Sequence, residues 1–580
     1  MSAKNLPTTQ WRLPEDNRDV QDLLVRELGI NLIISQILTS REISNPDKAR
    51  KYLSPSLSDL HDPFLMKDMR KGVRRLIKAI YGREKIAIYG DYDVDGITSV
   101  VVLLKFLKEI INTVSYYIPD RIKEGYGLNR GAIDKMKTNG VSLIITVDCG
   151  ISDLEEVSYA RTIGIDTIIL DHHKVPDTIP AAVAVINPHR KDCQFPFKCL
   201  AAVGIVFNFL IALRSSLRKD GFWKNNSYPN LKDYLDLVAL GTIGDISPLI
   251  DENRIFTKIG LDLITEGKRI GLRALKEISG IENQAIDARK VSFCLAPRIN
   301  AAGRIGSPRD AVQFLMTDDL EEAREIARKL DAYNRKRQIM EKAILAEILE
   351  EIKKTADHEK SSSLVFASHR WHPGVIGIVA SRLVDLYCRP VILISLKDGM
   401  GKGSGRSIDD FNIYEGLKRC DSLLLSYGGH QYAAGISIRE EDIKKFTTLF
   451  NSTIQKDIEV PDFTTQTIID AQCNLNDITH DLLYQLDTLA PFGRNNPEPI
   501  LCVRNVNVTT STIVGNNHLR MRVKGDGVSC NSIWFSKGHF IHTLSGSALD
   551  IVFTPEITHW KGADNIQLKM RDVAPLAHYL

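Results

Sequence analysis

The sequence predicts an α/β protein of several domains, and the largest domain is expected to contain a mostly parallel, doubly wound sheet. Short β-branched runs alternate with helical runs between residues 65 and 280, which is typical of βαβ units. A cluster of carboxylates directly follows one of these runs, and ligands of such sheets bind beyond the carboxyl ends of the strands. The chain has 580 residues, enough for several domains with separate cores.

The pattern along the chain divides it into five segments. Residues 1–60 contain one amphipathic run, residues 20–38, and are expected to form helices that dock onto the first α/β domain. The five segments are an N-terminal helical segment (1–60), the large α/β domain (61–290), connecting helices (291–358), a smaller α/β domain (359–455) and a strand-rich domain (456–580).

Composition excludes several classes of protein. The formal net charge of +3 is too small to indicate a polyanion partner, so a nucleic-acid surface would need local clusters of basic residues. The nine cysteines include no C-x-x-C pair, which predicts reduced thiols rather than a disulfide framework or a zinc site. No signal peptide is apparent and no apolar run has the length of a membrane span, so we expect a cytoplasmic protein without membrane contact.

The acidic turn after the first predicted strand, 86–89, carries the strongest chemical signal. Asp91, Asp93 and Asp95 occupy every second position and are followed by Gly96 and a helical run. Three such carboxylates repel one another unless a cation lies between them, although a solvated acidic turn is the ordinary alternative. An EF-hand is disfavoured, because the segment follows a strand and has no Glu at loop position twelve.

Other predicted strands and one helix also end in polar residues. Each of these residues has an ordinary structural explanation, such as a helix cap or a surface histidine. Independent caps have no reason to collect at neighbouring ends of one sheet, however, and carboxylates with imidazole but no thiolate favour Mn²⁺ or Mg²⁺. Two ions sharing a carboxylate would suit hydrolysis of a phosphate ester or anhydride. The polar groups are Asp120 and Arg121, then Asp148, then Asp171 with His172 and His173, and finally Asp245.

These motifs resemble the DHH phosphoesterase superfamily, and within it the bacterial single-strand-specific 5′→3′ DNA exonucleases. The resemblance covers nearly the whole chain after residue 60, and its ordered set of motifs is highly specific. The matching segments are 90–96 (GDYDVDG), 119–121 (PDR), 124–128 (EGYGL), 146–152 (TVDCGIS), 170–173 (LDHH), 241–249 (GTIGDISPL), 297–304 (PRINAAGR), 403–407 (GSGRS), 428–430 (GGH) and 491–494 (PFGR).

The resemblance implies a centre for two Mn²⁺ or Mg²⁺ ions. His173 would face the scissile phosphate, and Asp171 would orient a histidine from outside the ligand set. Some relatives in the superfamily have a histidine where this chain has Tyr89, and Asp91 would lie at or just outside the ligand set. The implied metal ligands are Asp91, Asp93, Asp95, Asp148, His172 and Asp245.

The resemblance also implies how substrate binds. Ser404 and Arg406, with Arg121, would grip a terminal 5′-phosphate, and His430 would approach the phosphate being cut. A further set, Arg298 and Asn300, would look into the cleft between the two α/β domains from the connecting segment.

The residues alone leave two of these segments open. The glycine-rich segment 401–407 lacks Walker spacing, and a flexible glycine turn or a phosphate-holding loop fits it equally well. After residue 460, aromatics alternate with cations at Trp534, Phe535, His539, Trp560 and Lys561, which fits either a barrel core or a surface that stacks bases. The resemblance makes this last domain an OB-like β-barrel.

Taken together, the resemblance predicts an exonuclease of DNA recombination and repair. It would act on single-stranded DNA from the 5′ end, release nucleoside 5′-monophosphates and work as a monomer, with single-strand-binding protein and a helicase as candidate partners. Two alternatives stay open: a DHH phosphodiesterase for short oligonucleotides or cyclic dinucleotides, and a non-catalytic relative that only binds single strands. The long connecting helix and the barrel argue against the first, and the complete ligand set argues against the second.

Overall fold

A computed structural model describes residues 10–223, 228–354, 361–457, 466–560 and 563–575. The chain forms two compact units. The larger unit comprises His61–Pro248 and Ile259–Pro461, and the smaller unit comprises Met1–Leu60, Leu249–Lys258 and Asp462–Leu580. No helix in the described ranges is long and apolar enough to span a membrane.

The strands form four sheets, and their bounds follow in chain order. They are β1 Gln10–Arg12, β2 Lys85–Gly90, β3 Val114–Tyr117, β4 Val141–Val147, β5 Asp166–Leu170, β6 Ala184–Ile186, β7 Leu364–Ser368, β8 Val391–Lys397, β9 Met400–Arg406, β10 Ser426–Gly429, β11 Ala433–Arg439, β12 Gln466–Ile468, β13 Ala471–Gln472, β14 Leu501–Val514, β15 His518–Gly525, β16 Val528–Trp534, β17 Ala548–Trp560 and β18 Ala563–Pro575.

The helices connect and cover these strands. Among the described residues they are α1 Arg18–Leu28, α2 Leu32–Ser40, α3 Pro46–Leu53, α4 Met69–Tyr81, α5 Val94–Lys108, α6 Arg130–Thr138, α7 Leu154–Thr162, α8 Ala202–Lys219, α9 Leu235–Gly244, α10 Asp251–Glu266, α11 Ile270–Ile278, α12 Ala288–Lys290, α13 Ala296–Ile305, α14 Pro308–Met316, α15 Leu320–Lys354, α16 Ile376–Tyr387, α17 Ile413–Lys418, α18 Ile443–Asp457, α19 His480–Asp487 and α20 Ile541–Leu544.

The first sheet of the larger unit confirms the predicted parallel α/β fold. Its strand order is β3-β2-β4-β5-β6, and every neighbouring pair is parallel. The central strands are buried on both faces, as expected for β-branched runs that carry helices on each side. All five carboxyl ends therefore meet at one edge of the sheet.

The second sheet also lies in the larger unit, where it forms the smaller of the two α/β domains. Its strand order is β10-β11-β9-β8-β7. The 35-residue helix α15, the connecting helix predicted from the sequence, leads to it. Its apolar residues at helical spacing join the core around β7 and α16. Trp371 is 4 % exposed and belongs to this core as well.

The glycine-rich segment 401–407 is neither a turn nor a loop. Most of it forms β9, which is paired with β8 on one side and β11 on the other. Glycine is required for packing, because a Cβ on Gly401, Gly403 or Gly405 would lie 2.5–2.6 Å from an isoleucine side chain. The backbone amides therefore serve the sheet, and the phosphate-loop interpretation is wrong for the backbone.

The smaller unit contains a closed five-stranded barrel, as the fold prediction requires. The strands run β14-β15-β16-β18-β17, and pairing of β14 with β17 closes the ring. Trp534 is 3 % exposed and lies in the barrel core, as the first of the two interpretations expects. Phe535 is 48 % exposed and lies at the surface, as the second interpretation expects. The side chains of Trp560 and Lys561 lie outside the described residues.

The N-terminal helices differ from their prediction. Their buried apolar side chains, such as Leu24, Ile34 and Ile37, share one core with the barrel strands. The sequence predicted docking onto the first α/β domain because an amphipathic face shows that a partner exists but does not identify it.

Candidate functional site

The acidic turn forms a tightly constrained bend between β2 and α5. The carboxylate of Asp93 caps α5 by accepting hydrogen bonds from the amides of Asp95 (2.9 Å) and Gly96 (3.1 Å). A Cβ on Gly96 would lie 2.6 Å from the carbonyl oxygen of Asp91, so the bend admits only glycine there. The turn is thereby held at the carboxyl edge of the sheet.

Asp95 is fixed from a second direction. Its two carboxylate oxygens accept hydrogen bonds from the amides of Ala202 (2.8 Å) and Val203 (2.9 Å), in the first turn of α8. A buried carboxylate at a helix N-terminus is stabilised by these amides. Asp95 therefore keeps one orientation, towards the ends of the neighbouring strands.

The predicted ligands from the other strand ends converge on this turn. His172 Nε2 lies 3.2 Å from Asp148 Oδ1 and 3.9 Å from Asp95 Oδ2, while His172 Nδ1 lies 3.9 Å from Asp245 Oδ2. Asp245 also accepts a hydrogen bond of 2.6 Å from the Ser247 hydroxyl.

Three overlapping groups each place one ligand atom per residue within 4.8 Å of the others. We give the name cation cluster to all members of the three groups except His173: Asp91, Asp93, Asp95, Asp148, His172 and Asp245.

Electrostatics indicate that the cation cluster requires positive charge. Burial and then the neighbouring carboxylates raise the pKa of Asp95 to about 7 and hold those of Asp91 and Asp148 well above the usual range. The Oδ1 atoms of Asp91 and Asp148 are buried without a hydrogen-bond partner among the described residues. Buried carboxylate oxygens of this kind are costly unless a cation binds them, so the residues present fit a divalent cation centre.

His173 lies beside the cation cluster and is oriented by Asp171. His173 Nδ1 is 2.8 Å from Asp171 Oδ1, and the other Asp171 oxygen accepts the amide of Ile151 at 3.0 Å. Burial alone would lower the pKa of His173, but Asp171 raises it to about 9. In turn, burial opposes ionisation of Asp171, but the charge of His173 and its hydrogen bond lower the pKa of that carboxyl to about 2.

Two further rings surround His173. The His430 ring, from the residue that directly follows β10, stacks on it with centroids 6.0 Å apart and an interplanar angle of 22°. Burial and then the charge of His173 lower the pKa of His430, which favours its neutral form. Tyr126 donates its hydroxyl to the Asp148 carbonyl at 3.0 Å and contacts the edge of the His173 ring.

A second site, which we name the arginine pocket, lies between the two sheets of the larger unit. It consists of Arg121, Arg304 and Arg406 together with Ser404. Arg406 donates to the Ser404 hydroxyl at 3.2 Å, and Arg304 donates to the Gly374 carbonyl at 3.3 Å. Burial and then mutual repulsion lower the pKa of Arg304 to about 9 and that of Arg406 to about 10. Three guanidinium groups held together in this way favour an anion between them.

Close packing of glycine shapes this pocket. A Cβ on Gly377, at the start of α16, would lie 2.8 Å from Ser404 Oγ and 3.1 Å from Arg406 Nη2. The first turn of α16 therefore closes onto both side chains. A Cβ on Gly303 would lie 2.1 Å from the carbonyl oxygen of Tyr92, and the guanidinium of Arg121 lies 4.8 Å from the centre of the Tyr92 ring, so the arginine pocket adjoins the acidic turn of the cation cluster.

The remaining two predicted residues have internal partners. Arg298 pairs with Asp331 at 2.9 Å and donates to the Cys294 carbonyl at 2.5 Å. Asn300 accepts the amide of Val94 at 2.8 Å through Oδ1, at the first residue of α5. Both side chains are thus engaged in contacts within the larger unit.

Sequence reasoning omitted three residues from the site. Arg304 and Tyr126 stand within quoted motifs, but their types do not distinguish a pocket residue from a surface residue. Ser247 donates a hydrogen bond to the predicted ligand Asp245, a contact that no spacing rule predicts. Tyr89 is fully buried and donates its hydroxyl to the Gly127 carbonyl at 2.8 Å, so it faces the core rather than the cation cluster.

Comparison with known protein families finds three matches in the order of the predicted domains. Residues 85–242 match the DHH family, N-terminal domain, residues 361–456 match the DHHA1 domain, and residues 469–572 match the RecJ OB domain.

Two curated relatives cover most of the chain. Single-stranded-DNA-specific exonuclease RecJ of Bacillus subtilis (strain 168) is 36% identical over 97% of this chain and 71% of its own length. The protein of the same name from Escherichia coli (strain K12) is 34% identical over 87% of this chain and 90% of its own length.

Solved structures agree with these matches. RecJ of Thermus thermophilus in complex with Mn²⁺ superposes with a TM-score of 0.83 at 28% identity, covering 97% of this chain and 79% of that chain. The complex of RecJ from the same organism with Mg²⁺ gives a TM-score of 0.77 at 26% identity, covering 98% of this chain and 79% of that chain.

Proposed function

Because the chain belongs to the RecJ family of single-stranded-DNA-specific exonucleases, we propose that it degrades single strands from the 5′ end and releases nucleoside 5′-monophosphates. Family membership confirms the predicted class of enzyme, a metal-dependent exonuclease. Mn²⁺ or Mg²⁺ is its cofactor, in agreement with the solved complexes of relatives and the acidic cluster of this chain. The polarity, the product and the role of each residue are the proposal.

The observation that supports this polarity is the arginine pocket next to the cation cluster. A terminal phosphate carries more negative charge than a phosphodiester, and a pocket of three half-buried guanidinium groups favours the more charged group. We assign Arg121, Arg304, Arg406 and Ser404 to the terminal 5′-phosphate. The first phosphodiester would then lie at the adjoining cation cluster.

One contact explains why the substrate would have to be an end. Lys402 Nζ donates to the Ile122 carbonyl at 3.2 Å and so joins the two sheets next to Arg121. We infer that this contact borders the arginine pocket on the side of Arg121 and limits how far a strand can pass the pocket. Exonucleolytic rather than internal cleavage follows from this arrangement.

Six residues would hold two divalent cations: Asp91, Asp93, Asp95, Asp148, His172 and Asp245. Such a pair supplies Lewis acidity to the phosphoryl centre and lowers the pKa of water. Asp95 and Asp93 keep their ligand atoms in place through the amides that they accept. Asp91 would complete the group that includes Asp93 and Asp148.

His173 would hold a proton at the phosphate being cut. Asp171 accepts the Nδ1–H, which leaves Nε2–H free to donate to a phosphoryl oxygen. His430 would border the same phosphate in its neutral form. Tyr126, Asn300 and Arg298 would position the cluster and the cleft walls rather than touch the reacting atoms.

The bond that breaks is the one between phosphorus and the 3′ oxygen of the terminal nucleotide. The 3′ oxygen leaves with a proton as a hydroxyl, and water supplies the new oxygen on phosphorus. The released nucleotide keeps its original 5′-phosphate, and the shortened strand gains a new one. Each turnover therefore produces the end that the arginine pocket binds, which favours successive cleavage.

A time course on end-labelled strands tests the proposal. A 3′-labelled, 5′-phosphorylated oligonucleotide should shorten progressively with Mn²⁺ or Mg²⁺, and a 5′-labelled one should release labelled mononucleotide at the earliest times. EDTA should stop both. A 3′-labelled strand that loses its label first would overturn the proposed polarity. Release of dinucleotides or longer products would show that the first phosphodiester is not the one at the cation cluster.

Compartment, assembly and protein partners belong to the same proposal. All nine cysteines are free thiols, which fits a reducing cytoplasm. We propose that the enzyme works there as a monomer, with single-strand-binding protein and a helicase supplying single-stranded substrate. Sedimentation of the purified chain tests the monomer directly.

A further inference from the structure

Asp153 stands at the start of helix α7 but does not cap it with its side chain. It is the residue that precedes the helix, and its backbone carbonyl accepts the amide of Val157 at 3.0 Å. An aspartate in this position normally turns its carboxylate onto the amides of the first helical turn. Within the described residues of α7 no such hydrogen bond forms, so the Asp153 carboxylate serves another part of the chain.

The carboxylate instead contacts the segment 124–128, which has the sequence EGYGL. Its Oδ2 atom accepts the amide of Leu128 at 2.8 Å. Its Oδ1 atom lies where a side chain on Gly127 would begin, since a Cβ there would be only 2.6 Å away. Gly127 also has a φ of +83°, which favours glycine. The segment thus closes onto Asp153 at the two residues that directly follow Tyr126.

Tyr126 is the side chain that this closure places. Its hydroxyl donates to the Asp148 carbonyl at 3.0 Å and lies 3.3 Å from His173 Nδ1. The rings of Tyr126 and His173 meet edge to face, with centroids 5.7 Å apart. A shift of the segment would therefore move one wall of the space that His173 occupies.

Asp153 is half-buried, and this burial is costly for a carboxylate. Burial raises the pKa of Asp153 to about 6, although the hydrogen bond from the Leu128 amide favours the ionised form. The charges of Glu156 and Asp171 also oppose its ionisation. Because helix α7 does not use the carboxylate, the contact with Leu128 is the one that offsets this cost.

We propose that Asp153 is a positioning residue for cleavage. Through the Leu128 amide it fixes Tyr126, and Tyr126 in turn fixes the His173 ring beside the cation cluster. This inference rests on the proposed function, in which His173 holds a proton at the phosphate being cut. Asp171 sets the charge of His173, whereas Asp153 sets its place. A displacement of about 1 Å at a reacting group lowers a rate by as much as about a hundredfold, so a contact outside the site has a measurable effect.

Single-turnover cleavage of a 5′-phosphorylated thymidine oligonucleotide with Mn²⁺ measures the step concerned. Asp153→Ala should lower this rate about 10- to 100-fold, while strand affinity without cations stays unchanged. Asp153→Asn should keep most of the rate, because its amide oxygen still accepts the Leu128 amide. Glu155→Ala is the matched control, since Glu155 is an exposed carboxylate of the first turn of α7 and pairs with Arg130 at the surface.

A double-mutant cycle distinguishes positioning from a general loss of stability. If Asp153 acts through Tyr126, adding Asp153→Ala to Tyr126→Ala should lower the rate no further. Two effects that multiply would overturn the proposal, because a general loss of stability does not depend on Tyr126. An unchanged rate in Asp153→Ala would overturn it as well, and so would an equal loss in Asp153→Asn.

Gly127→Ala repeats the test with Asp153 intact. The added methyl would lie 2.6 Å from Asp153 Oδ1 and should push the segment away, so the rate should fall as it does in Asp153→Ala. This variant also decides the matter if Asp153→Ala does not fold. A Gly127→Ala enzyme with a native circular dichroism spectrum and the parental rate would overturn the proposal.

The proposed function has a separate outcome. His173→Ala should slow cleavage at least as much as Asp153→Ala does. If His173→Ala slows cleavage and Asp153→Ala does not, positioning by Asp153 alone is rejected. If His173→Ala cleaves at the parental rate, the proposed role of His173 is rejected together with the positioning that depends on it. The polarity is tested independently by the time course on end-labelled strands.

Discussion

Nδ1 of His173 lies 2.8 Å from Oδ1 of Asp171, and this contact sets the charge of the histidine next to the cation cluster. Burial would lower the pKa of His173, whereas Asp171 raises it to about 9. We expect Asp171→Asn to bring that pKa below its usual value in the cation-free enzyme. NMR titration of the His173 ring measures the change, and an unchanged titration would refute the role of Asp171.

The same contact predicts how stability depends on pH. The pKa of His173 is higher in the folded state than its unfolded value of about 6.5. The contribution of the charged histidine to folding stability is therefore fully present below about pH 6.5 and is lost as pH rises through about 9. Denaturant unfolding of the cation-free enzyme should therefore show that the free energy of unfolding decreases from about pH 6.5 to about pH 9. Asp171→Asn should make this decrease smaller. A parallel pH dependence in both proteins would argue against this linkage.

Cation binding should depend on pH in the opposite sense. Burial and then Asp245 raise the pKa of Asp95 to about 7, so a cation must displace a proton at lower pH. We expect affinity for Mn²⁺ to fall about tenfold as pH drops from about 8 to about 6. Calorimetry in two buffers of different ionisation enthalpy should detect proton release, and pH-independent affinity would contradict the assignment.

Removing a predicted ligand should separate catalysis from binding. Asp93→Ala should reduce the cleavage rate on the order of a thousandfold and leave strand affinity without cations unchanged or higher. Asp385→Ala is the control, since Asp385 is an exposed carboxylate on α16. Retained cleavage in Asp93→Ala would exclude this residue from the cation centre.

The arginine pocket predicts a preference for phosphorylated ends. Arg304→Ala and Arg406→Ala should each reduce the ratio of cleavage rates on 5′-phosphate and 5′-hydroxyl strands by about 10- to 100-fold, the worth of a charge-assisted hydrogen bond. The control Arg439→Ala removes an exposed arginine of the domain that contains Arg406. Equal loss on both ends would mean that the pocket does not bind the terminal phosphate.

Arg254 predicts a structural effect in the smaller unit. Its fully buried guanidinium donates to the carbonyls of Tyr52, Thr488 and Leu489 at 2.8–3.0 Å. Arg254→Met should destabilise the smaller unit by about 3 kcal/mol, because each of these three carbonyls loses one hydrogen bond from a buried guanidinium group. Hydrogen exchange of β14 and β17 measures this, with exposed Arg26→Met as the control; equal exchange in both variants would refute the role.

The sequence was informative wherever topology alone decides position. Carboxyl ends of parallel strands meet at one edge, so the turn at Asp93, the end of β4 at Asp148 and the pair after β5 could be placed together before any coordinates. The predicted ligands are carboxylates and imidazole, and these types limited the expected cation to Mn²⁺ or Mg²⁺. The family resemblance added the order of domains, which periodicity alone does not give.

Long-range packing was beyond the sequence. The arginine pocket depends on the close approach of Gly377 to Ser404 and Arg406, and nothing in local spacing reveals it. The glycine-rich segment was misjudged because its glycines leave room for isoleucine side chains of β8, β11 and α17 and do not form a bend. The position of Arg304 likewise depends on the second domain, because a Cβ on Gly374 would lie 2.4 Å from the Arg304 carbonyl oxygen.

The shared core of the N-terminal helices and the barrel has a consequence for biosynthesis. About 400 residues separate the two segments in the chain, and β1 pairs with β12 across that gap. At about 5–20 residues per second a ribosome needs roughly 20–80 s to make the intervening chain. The apolar faces of the first helices therefore stay exposed until the barrel strands have been synthesised, and a chaperone could bind them during this time. Most of the nuclease portion can fold before the barrel is complete.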